Sequence, residues 1–190
     1  MRHKDEKKNQ AIFDSTIQLI NEVGFSDLSM SKIAKRANLS PATIYTYYEN
    51  KEDLLVKLYL DVKEKLSRSM LHGIHEELDT KEICYIFMKN SLEFMMENKD
   101  WFLFLEQFTA SPFMNKLCMA DTAPMFENLY RYFERGISNG SLKNAKAELI
   151  ISYCYFPIVQ LAKEYYEGIY TTIEKEFELI FSLSWDAISQ

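Results

Sequence analysis

The sequence predicts an all-α protein of about nine helices, with a small three-helix N-terminal domain and a larger C-terminal helical bundle. Glycine and proline, which most often interrupt helices, number only five and four among 190 residues. Apolar residues recur at intervals of three and four, and no alternation typical of a β-strand runs for long. An apolar fraction of 47% supports a folded core and excludes a disordered chain.

The first predicted helix covers residues 7–23. Its inward face has helical spacing and consists of Ile12, Phe13, Thr16, Ile17, Ile20 and Val23. Gly24 follows as a C-terminal cap, because glycine readily adopts the left-handed conformation that ends many helices.

Residues 29–51, SMSKIAKRANLSPATIYTYYENK, predict a helix-turn-helix. Ser29 caps a short helix whose buried face repeats at helical spacing, and Asn38 ends it. Ser40 caps the second helix, and Pro41 occupies its first position, where a missing N–H costs nothing. Ile44 and Tyr48 point inward. The outward face, of the kind that a recognition helix lays into a DNA major groove, consists of Pro41, Ala42, Thr43, Thr46 and Tyr47.

The remaining helices follow without a flexible linker. Asn50 caps a fourth helix, whose apolar stripe runs from Leu54 to Leu66. Five further helices are predicted at residues 80–97, 100–111, 124–139, 145–167 and 172–188, with Pro157 as a kink in the fourth of these. We expect one domain at residues 1–52, which contains the helix-turn-helix, and a larger helical domain at residues 53–190.

The distribution of charge along the chain fits a DNA-binding N-terminal domain, called the head below, better than the net charge does. The net charge is −6, but residues 1–65 contain 11 basic and 10 acidic residues, so the excess acid lies in the rest of the chain. Basic side chains that could cluster on one side of this domain and supply a few phosphate contacts are Arg2, Lys4, Lys7, Lys8, Lys32, Lys35, Arg36 and Lys51. The tail from Arg2 to Lys8 is a candidate to lie along the minor groove or the DNA backbone.

Other composition features limit the class of protein. No apolar run has the length of a membrane span and the N-terminus does not resemble a signal peptide, so we expect a cytoplasmic protein without membrane contact. Cys84, Cys118 and Cys154 are widely spaced among apolar neighbours and predict reduced core thiols. His72 and His75 lie beside Gly73, which indicates a solvated helix end rather than a metal site. We expect no metal and no cofactor.

The N-terminal pattern resembles the TetR family of bacterial transcriptional regulators. Its residues follow the family motif in order: Ile12, Leu19, Gly24, Phe25, Ser29, Ile33, Ala34, Ala37, Leu39, Ser40, Thr43, Ile44, Tyr45, Tyr47, Tyr48, Lys51, Leu54 and Leu55. The resemblance implies a homodimer whose heads occupy successive major grooves of a palindromic operator, roughly 34–36 Å apart. It also implies that residues 1–52 form the DNA-binding domain and that residues 53–190 form a ligand-binding and dimerisation domain. A small molecule bound to the larger domain would release a repressor from DNA.

The resemblance and the outward face together predict the DNA-binding residues. Thr43, Thr46 and Tyr47 offer hydroxyls, whereas Pro41 and Ala42 suit a thymine methyl group. Tyr45 is expected to contact phosphate with part of its ring buried. Lys51 is expected to hold a phosphate at a helix N-terminus. The other members of this set, as phosphate contacts or caps, are Ser29, Ser31 and Ser40. Because the recognition helix has no arginine, we expect an A·T-leaning site.

The C-terminal part is rich in aromatic residues and methionine, which is typical of a core and also suits an adaptable apolar pocket. The predicted pocket residues are Met88, Phe102, Glu106, Phe126, Tyr130, Tyr155 and Gln160. The last two helices carry enough apolar surface for a four-helix dimer interface. The predicted interface residues are Tyr153, Phe156, Phe177, Ile180, Phe181 and Trp185.

Two other functions remain open at this point. The DNA-binding dimer could be regulated by a protein partner, or not regulated by a ligand at all. More remotely, the chain could be a helical enzyme or carrier, although it has no glycine-rich phosphate loop, no metal-ligand spacing and no nucleophile elbow. The primary prediction is a non-enzymatic repressor that a small, largely apolar effector releases from its operator.

Overall fold

The computed structural model describes residues 2–117 and 119–190. Within them the chain forms nine α-helices and one short 3₁₀-helix, η1, and its only β-type pairing is a single bridge between Leu142 and Ser189. The all-α prediction is confirmed. The helices are α1 Arg2–Val23, α2 Met30–Arg36, α3 Pro41–Ile44, α4 Lys51–Met70, α5 Thr80–Glu97, α6 Lys99–Thr109, α7 Met119–Ser138, α8 Ala147–Tyr166 and α9 Glu174–Ile188, with η1 at Pro112–Lys116.

Most predicted helix ends agree with the structure because their signals are local. Gly24 has φ +72° and closes α1, and Asn38 has φ +54° after α2. Most ends lie within two residues of the prediction, but α1 and α7 begin at Arg2 and Met119, each five residues earlier than predicted, and the sequence does not predict η1. Val23 was predicted to face inward but is 43% exposed, since it lies at the end of α1.

The chain divides into two compact units, of which the first comprises Met1–Lys63 and Asn98–Asp121. The predicted boundary between residues 52 and 53 differs from this division, because α6 and η1 belong to the first unit. Phe108 on α6 is fully buried and its ring stacks on Tyr59 at 4.3 Å between centroids. Phe104 and Phe25 also contact Phe108, so an aromatic cluster joins α6 to α4 and to the turn that follows α1.

The second unit comprises Glu64–Glu97 and Thr122–Gln190. Helices α5, α8 and α9 pack on one another to form its core. Gly136 on α7 is required by a close approach, because a Cβ there would lie 2.6 Å from Cγ2 of the buried Thr80. The thiols of Cys84 and Cys154 are buried and unbridged, and a hydrogen bond between them together with burial raises the pKa of Cys84. Cys118 lies outside the described residues.

Candidate functional site

Two serine caps build the helix-turn-helix in the first unit. The Ser29 hydroxyl accepts a hydrogen bond from the Lys32 backbone N–H at 3.3 Å. The Ser40 hydroxyl accepts one from the Thr43 N–H at 3.2 Å and lies 2.9 Å from the Thr43 hydroxyl. Both serines therefore define where a helix begins, as the sequence predicts. Ser31 is exposed, and the described hydrogen bonds include no helix cap from its side chain.

The outward residues of α3 and the turn after it form one surface, which we call the α3 surface: Pro41, Ala42, Thr43, Tyr45, Thr46 and Tyr47. Ile44 and Tyr48 are buried beneath it, as predicted. Pro41, Ala42 and Thr46 are exposed, whereas Thr43 and Tyr47 are half-buried and make solvent-exposed hydrogen bonds with their hydroxyls. Tyr45 is 55% exposed, so a little over half of this residue is accessible to a DNA partner. The surface offers hydroxyls and apolar groups but no positive charge.

Helix α1 supports the α3 surface through two tyrosines. The Tyr47 hydroxyl donates a hydrogen bond to Oδ1 of Asp5 at 3.1 Å. The Tyr48 hydroxyl donates one to Oδ1 of Asn9 at 2.7 Å. Burial is the main cause that raises the pKa of both tyrosines, to about 12 for Tyr48, so both hydroxyls keep their protons at neutral pH. Sequence reasoning missed Asp5 and Asn9, since about 40 residues separate them from their partners and no local pattern marks them.

Three of the predicted phosphate-binding side chains are engaged within the first unit. Arg36 donates two hydrogen bonds of 2.6 Å to the Glu22 carboxylate, and this pairing lowers the pKa of Glu22. The Lys32 ammonium donates to the Asp27 carbonyl at 2.7 Å. Lys51 points towards the carbonyls of Phe25 and Leu28, at 3.5 and 3.3 Å, rather than outward. The predicted role of Lys51 would require its side chain to leave those carbonyls.

Two hydrogen bonds between side chain and backbone fix the start of α4. The Asp53 N–H donates to the Asn50 side chain at 2.9 Å, and the Glu49 N–H donates to the Asp53 carboxylate at 3.0 Å. The cap agrees with the sequence prediction for Asn50. It holds the Lys51 backbone at the positive end of a 20-residue helix, directly after the α3 surface.

The predicted effector residues do not form one described cavity. Phe102 and Glu106 belong to the first unit, and the other five belong to the second. Met88 and Phe102 are buried core residues, whereas Phe126, Tyr130 and Tyr155 are half-buried. Gln160 was predicted to face a pocket, but it is exposed and donates to Glu164 at 2.8 Å. Its place on the outer side of α8 corrects that prediction.

Three clefts lined by described residues lie in the second unit. One of about 450 Å³ runs between α5 and α9, with Leu92 and Phe177 among its apolar walls and Glu93 and Glu174 among its polar ones. A second, of about 390 Å³, lies beside it near Ile86 and Phe181. The third lies along α7 and includes Tyr130. Of the seven predicted effector residues, these clefts include only Tyr130.

An exposed apolar face covers the outside of α8 and α9. We call it the α8–α9 face, and its residues are between 52% and 64% exposed: Leu149, Tyr153, Phe156, Leu179 and Leu183. Tyr153 and Phe156 were predicted as interface residues. Phe177 and Phe181 were predicted there too, but they are buried and their rings contact Tyr85 of α5. Ile180 and Trp185 are half-buried between these two sides of α9.

Two other features of the described residues bear on function. None of the described helices is both long enough and apolar enough to cross a lipid bilayer. Among the same residues, no group of three or more His, Cys, Asp or Glu side chains could hold a metal ion.

Comparison with protein families identifies both parts of the chain. Residues 12–58 match the model of the bacterial regulatory proteins of the tetR family. Residues 85–189 match the model of the tetracyclin repressor-like C-terminal domain. The first match contains the helix-turn-helix, and the second contains helices α6 to α9 and most of α5.

Individual relatives agree with these matches. A fatty acid metabolism regulator protein from Bacillus subtilis is 37% identical over 82 residues, which cover 43% of this chain and 42% of the relative. An HTH-type transcriptional regulator from Haemophilus influenzae is 30% identical over 118 residues, covering 62% and 63% of the two chains. The chain thus spans less than two thirds of either relative.

Solved structures resemble this one over greater lengths. A TetR family transcription regulator from Marinobacter aquaeolei superposes with a TM-score of 0.90 and 28% identity, and the match covers 100% of both chains. The regulator FadR from Bacillus subtilis, in complex with stearoyl-CoA, superposes with a TM-score of 0.77 and 19% identity over 92% of this chain and 96% of that one. The second likeness is one of fold alone.

Proposed function

Because the chain belongs to the tetR family of bacterial regulatory proteins, we propose that it is a DNA-binding transcriptional regulator that acts as a homodimer on a palindromic operator. The observation that carries the proposal is the α3 surface, which presents Tyr45, Thr46 and Tyr47 outward from a capped helix-turn-helix. These regulators are not enzymes, and this agrees with the prediction from the sequence.

The α3 surface suits a major groove in which few contacts come from charged side chains. Arg36 forms an ion pair with Glu22, and the ammonium groups of Lys32 and Lys51 donate to backbone carbonyls, so these three basic side chains are engaged within the protein. We infer that base and sugar–phosphate contacts through hydroxyl and apolar groups carry much of the operator affinity. The affinity should still fall as salt rises, because any phosphate contact releases counterions.

Binding to selected DNA tests this proposal. Genomic fragments that the protein retains are sequenced, and affinity for the selected duplex and for a scrambled duplex is measured by fluorescence anisotropy. We expect Tyr45→Ala to weaken operator binding about tenfold, equivalent to about 1.4 kcal/mol, because the Tyr45 side chain is 55% exposed on the α3 surface and can contact DNA. The matched control is Tyr170→Ala, in the second unit. Equal affinity of the wild-type protein for both duplexes would contradict the proposal.

The homodimer in this proposal is formed through the α8–α9 face. Its five side chains leave apolar surface exposed on two helices that pack side by side. The same helices bury their opposite sides against α5, as the contacts of Phe177 and Phe181 with Tyr85 indicate. An apolar patch of this kind on a water-exposed surface is typical of an interface, and a second copy of the chain would cover it with the same residues.

The effector in this proposal is a small, largely apolar molecule bound by the C-terminal part of the chain. Buried aromatic and methionine side chains, such as Phe87, Met88 and Met95, can rearrange around such a molecule. The name of the Bacillus subtilis relative and the stearoyl-CoA bound to FadR make a long-chain acyl group the first compound to test.

A thermal-shift measurement distinguishes this effector from the alternatives. Stearoyl-CoA at about 100 times its dissociation constant is expected to add about 2.7 kcal/mol to the free energy of unfolding. This should raise the midpoint of thermal unfolding by about 5–10 °C. It should also release the selected duplex. CoA alone is the control and should do neither. If no apolar compound shifts the midpoint while operator binding stands, regulation through a protein partner or without a ligand is favoured.

A further inference from the structure

The inference concerns the two hydrogen bonds that join α1 to the recognition segment. Asp5 and Asn9 are four residues apart on α1 and therefore lie on one face of that helix. They accept hydrogen bonds from Tyr47 and Tyr48, which are adjacent in sequence. Tyr48 is buried, so its bond to Asn9 anchors the segment. Tyr47 belongs to the α3 surface, so its bond to Asp5 affects a group that faces outward.

The bond to Asp5 determines what the Tyr47 oxygen can recognise. A phenol hydroxyl has one proton and can also accept hydrogen bonds. When the proton is donated to Asp5, the oxygen can act only as an acceptor. Phosphate oxygens also only accept, so they cannot bind this hydroxyl while the bond to Asp5 is in place. In the major groove the donors are the amino groups of adenine N6 and cytosine N4.

The electrostatic effect of Asp5 is separate from this hydrogen-bond effect. Its carboxylate is exposed beside a surface that would approach phosphates, so it lowers affinity for any duplex, whatever the sequence. A carboxylate at that place weakens DNA binding in general. Asp5 therefore favours DNA binding only through its bond to Tyr47, and that bond affects which DNA sequence is selected.

We propose that Asp5 is a positioning residue for sequence recognition, which holds Tyr47 as a hydrogen-bond acceptor for the amino group of an adenine or cytosine in the operator. The proposal rests on the proposed function, because it requires the α3 surface to enter a major groove. Asp5 itself does not contact the base. It acts through the orientation and the proton of Tyr47.

A double-mutant cycle on full-length protein tests the proposal. Affinity is measured for the selected operator and a scrambled duplex with wild type, Tyr47→Phe, Asp5→Ala and the double variant. We expect Tyr47→Phe to lower operator affinity about tenfold and to leave the scrambled duplex unchanged. Asp5→Ala should lower the ratio of operator to scrambled affinity by a similar factor, and the double variant should lose no more than one single variant.

Two further variants separate hydrogen bonding from charge. Asp5→Asn keeps an acceptor oxygen for the Tyr47 hydroxyl without the negative charge, so it should bind both duplexes more tightly and retain the wild-type ratio. Asp14→Ala is the matched control: it removes a carboxylate from α1 that accepts from Gln10 rather than from Tyr47, and it should leave the ratio unchanged.

Modified operators identify the base contact directly. Replacing each adenine in turn by purine, or each cytosine by 2-pyrimidinone, removes one amino group at a time. At one base position, loss of the amino group should lower the affinity of the wild-type protein about tenfold and leave the affinity of Tyr47→Phe unchanged. Equal losses by Tyr47→Phe on both duplexes, or additive losses in the cycle, would overturn the inference while leaving operator binding established. A wild-type protein without operator preference would instead refute the proposed function, and the inference with it.

Discussion

Replacing Phe156 or Leu183 by glutamate is expected to convert the dimer to a monomer and to lower operator affinity more than about 100-fold. Each side chain is more than 60% exposed in the single chain and lies on the α8–α9 face. In a dimer the new carboxylate would be buried against apolar groups of the second copy, which costs several kcal/mol without a partner charge. Loss of the dimer also removes the second half-site contact, whose effective concentration multiplies affinity by about 10²–10⁴.

Sedimentation velocity measures the first effect, and anisotropy with the selected operator measures the second. Ile169→Glu is the matched control, because Ile169 is 60% exposed in the same unit but lies outside the α8–α9 face. It should remain dimeric and bind as wild type does. A dimeric Leu183→Glu protein with unchanged operator affinity would show that the two copies meet through another surface.

The sequence predicts this face only in part, and the reason lies in α9. That helix has apolar residues on two sides, one towards α5 and one towards solvent. The periodicity of Phe177 and Phe181 identifies a buried stripe but not its partner, so both were assigned to the interface. Leu179 and Leu183 are also four residues apart. Because Phe177 and Phe181 are buried, the exposed Leu179 and Leu183 are the candidate interface residues on α9. Periodicity thus finds the faces of a helix, whereas tertiary packing decides their use.

Local signals predict the helix-turn-helix far better. Ser29, Ser40 and Asn50 each cap a helix at the predicted residue, because a cap involves atoms no more than a few residues apart. Contacts across the chain could not be predicted in this way. Asp5 meets Tyr47 over 42 residues, and no spacing rule applies at that separation.

The aromatic residues of α6 are a second case in which the sequence pattern does not show where a helix packs. The sequence predicts Phe102 on this helix as a wall of an effector pocket in the C-terminal domain, but Phe102 is buried and α6 belongs to the first unit. On the same helix, Phe108 is fully buried, stacked on Tyr59 and in edge contact with Phe25 and Phe104. A helix about 50 residues beyond the predicted boundary therefore completes the core beneath the DNA-binding head.

Phe108→Ala is accordingly expected to destabilise the first unit by about 3–5 kcal/mol, because it removes a large ring from a closed aromatic cluster and leaves a cavity. The protein has two tryptophans, and Trp101 lies in the first unit against Phe13, whereas Trp185 lies in the second. In a Trp185→Phe background, urea unfolding followed by Trp101 fluorescence should shift to lower denaturant concentration. The matched control is Phe133→Ala, which removes an equally buried ring from the second unit. If Phe108→Ala moved the Trp101 transition no further than Phe133→Ala does, α6 would not be part of the core that supports the head.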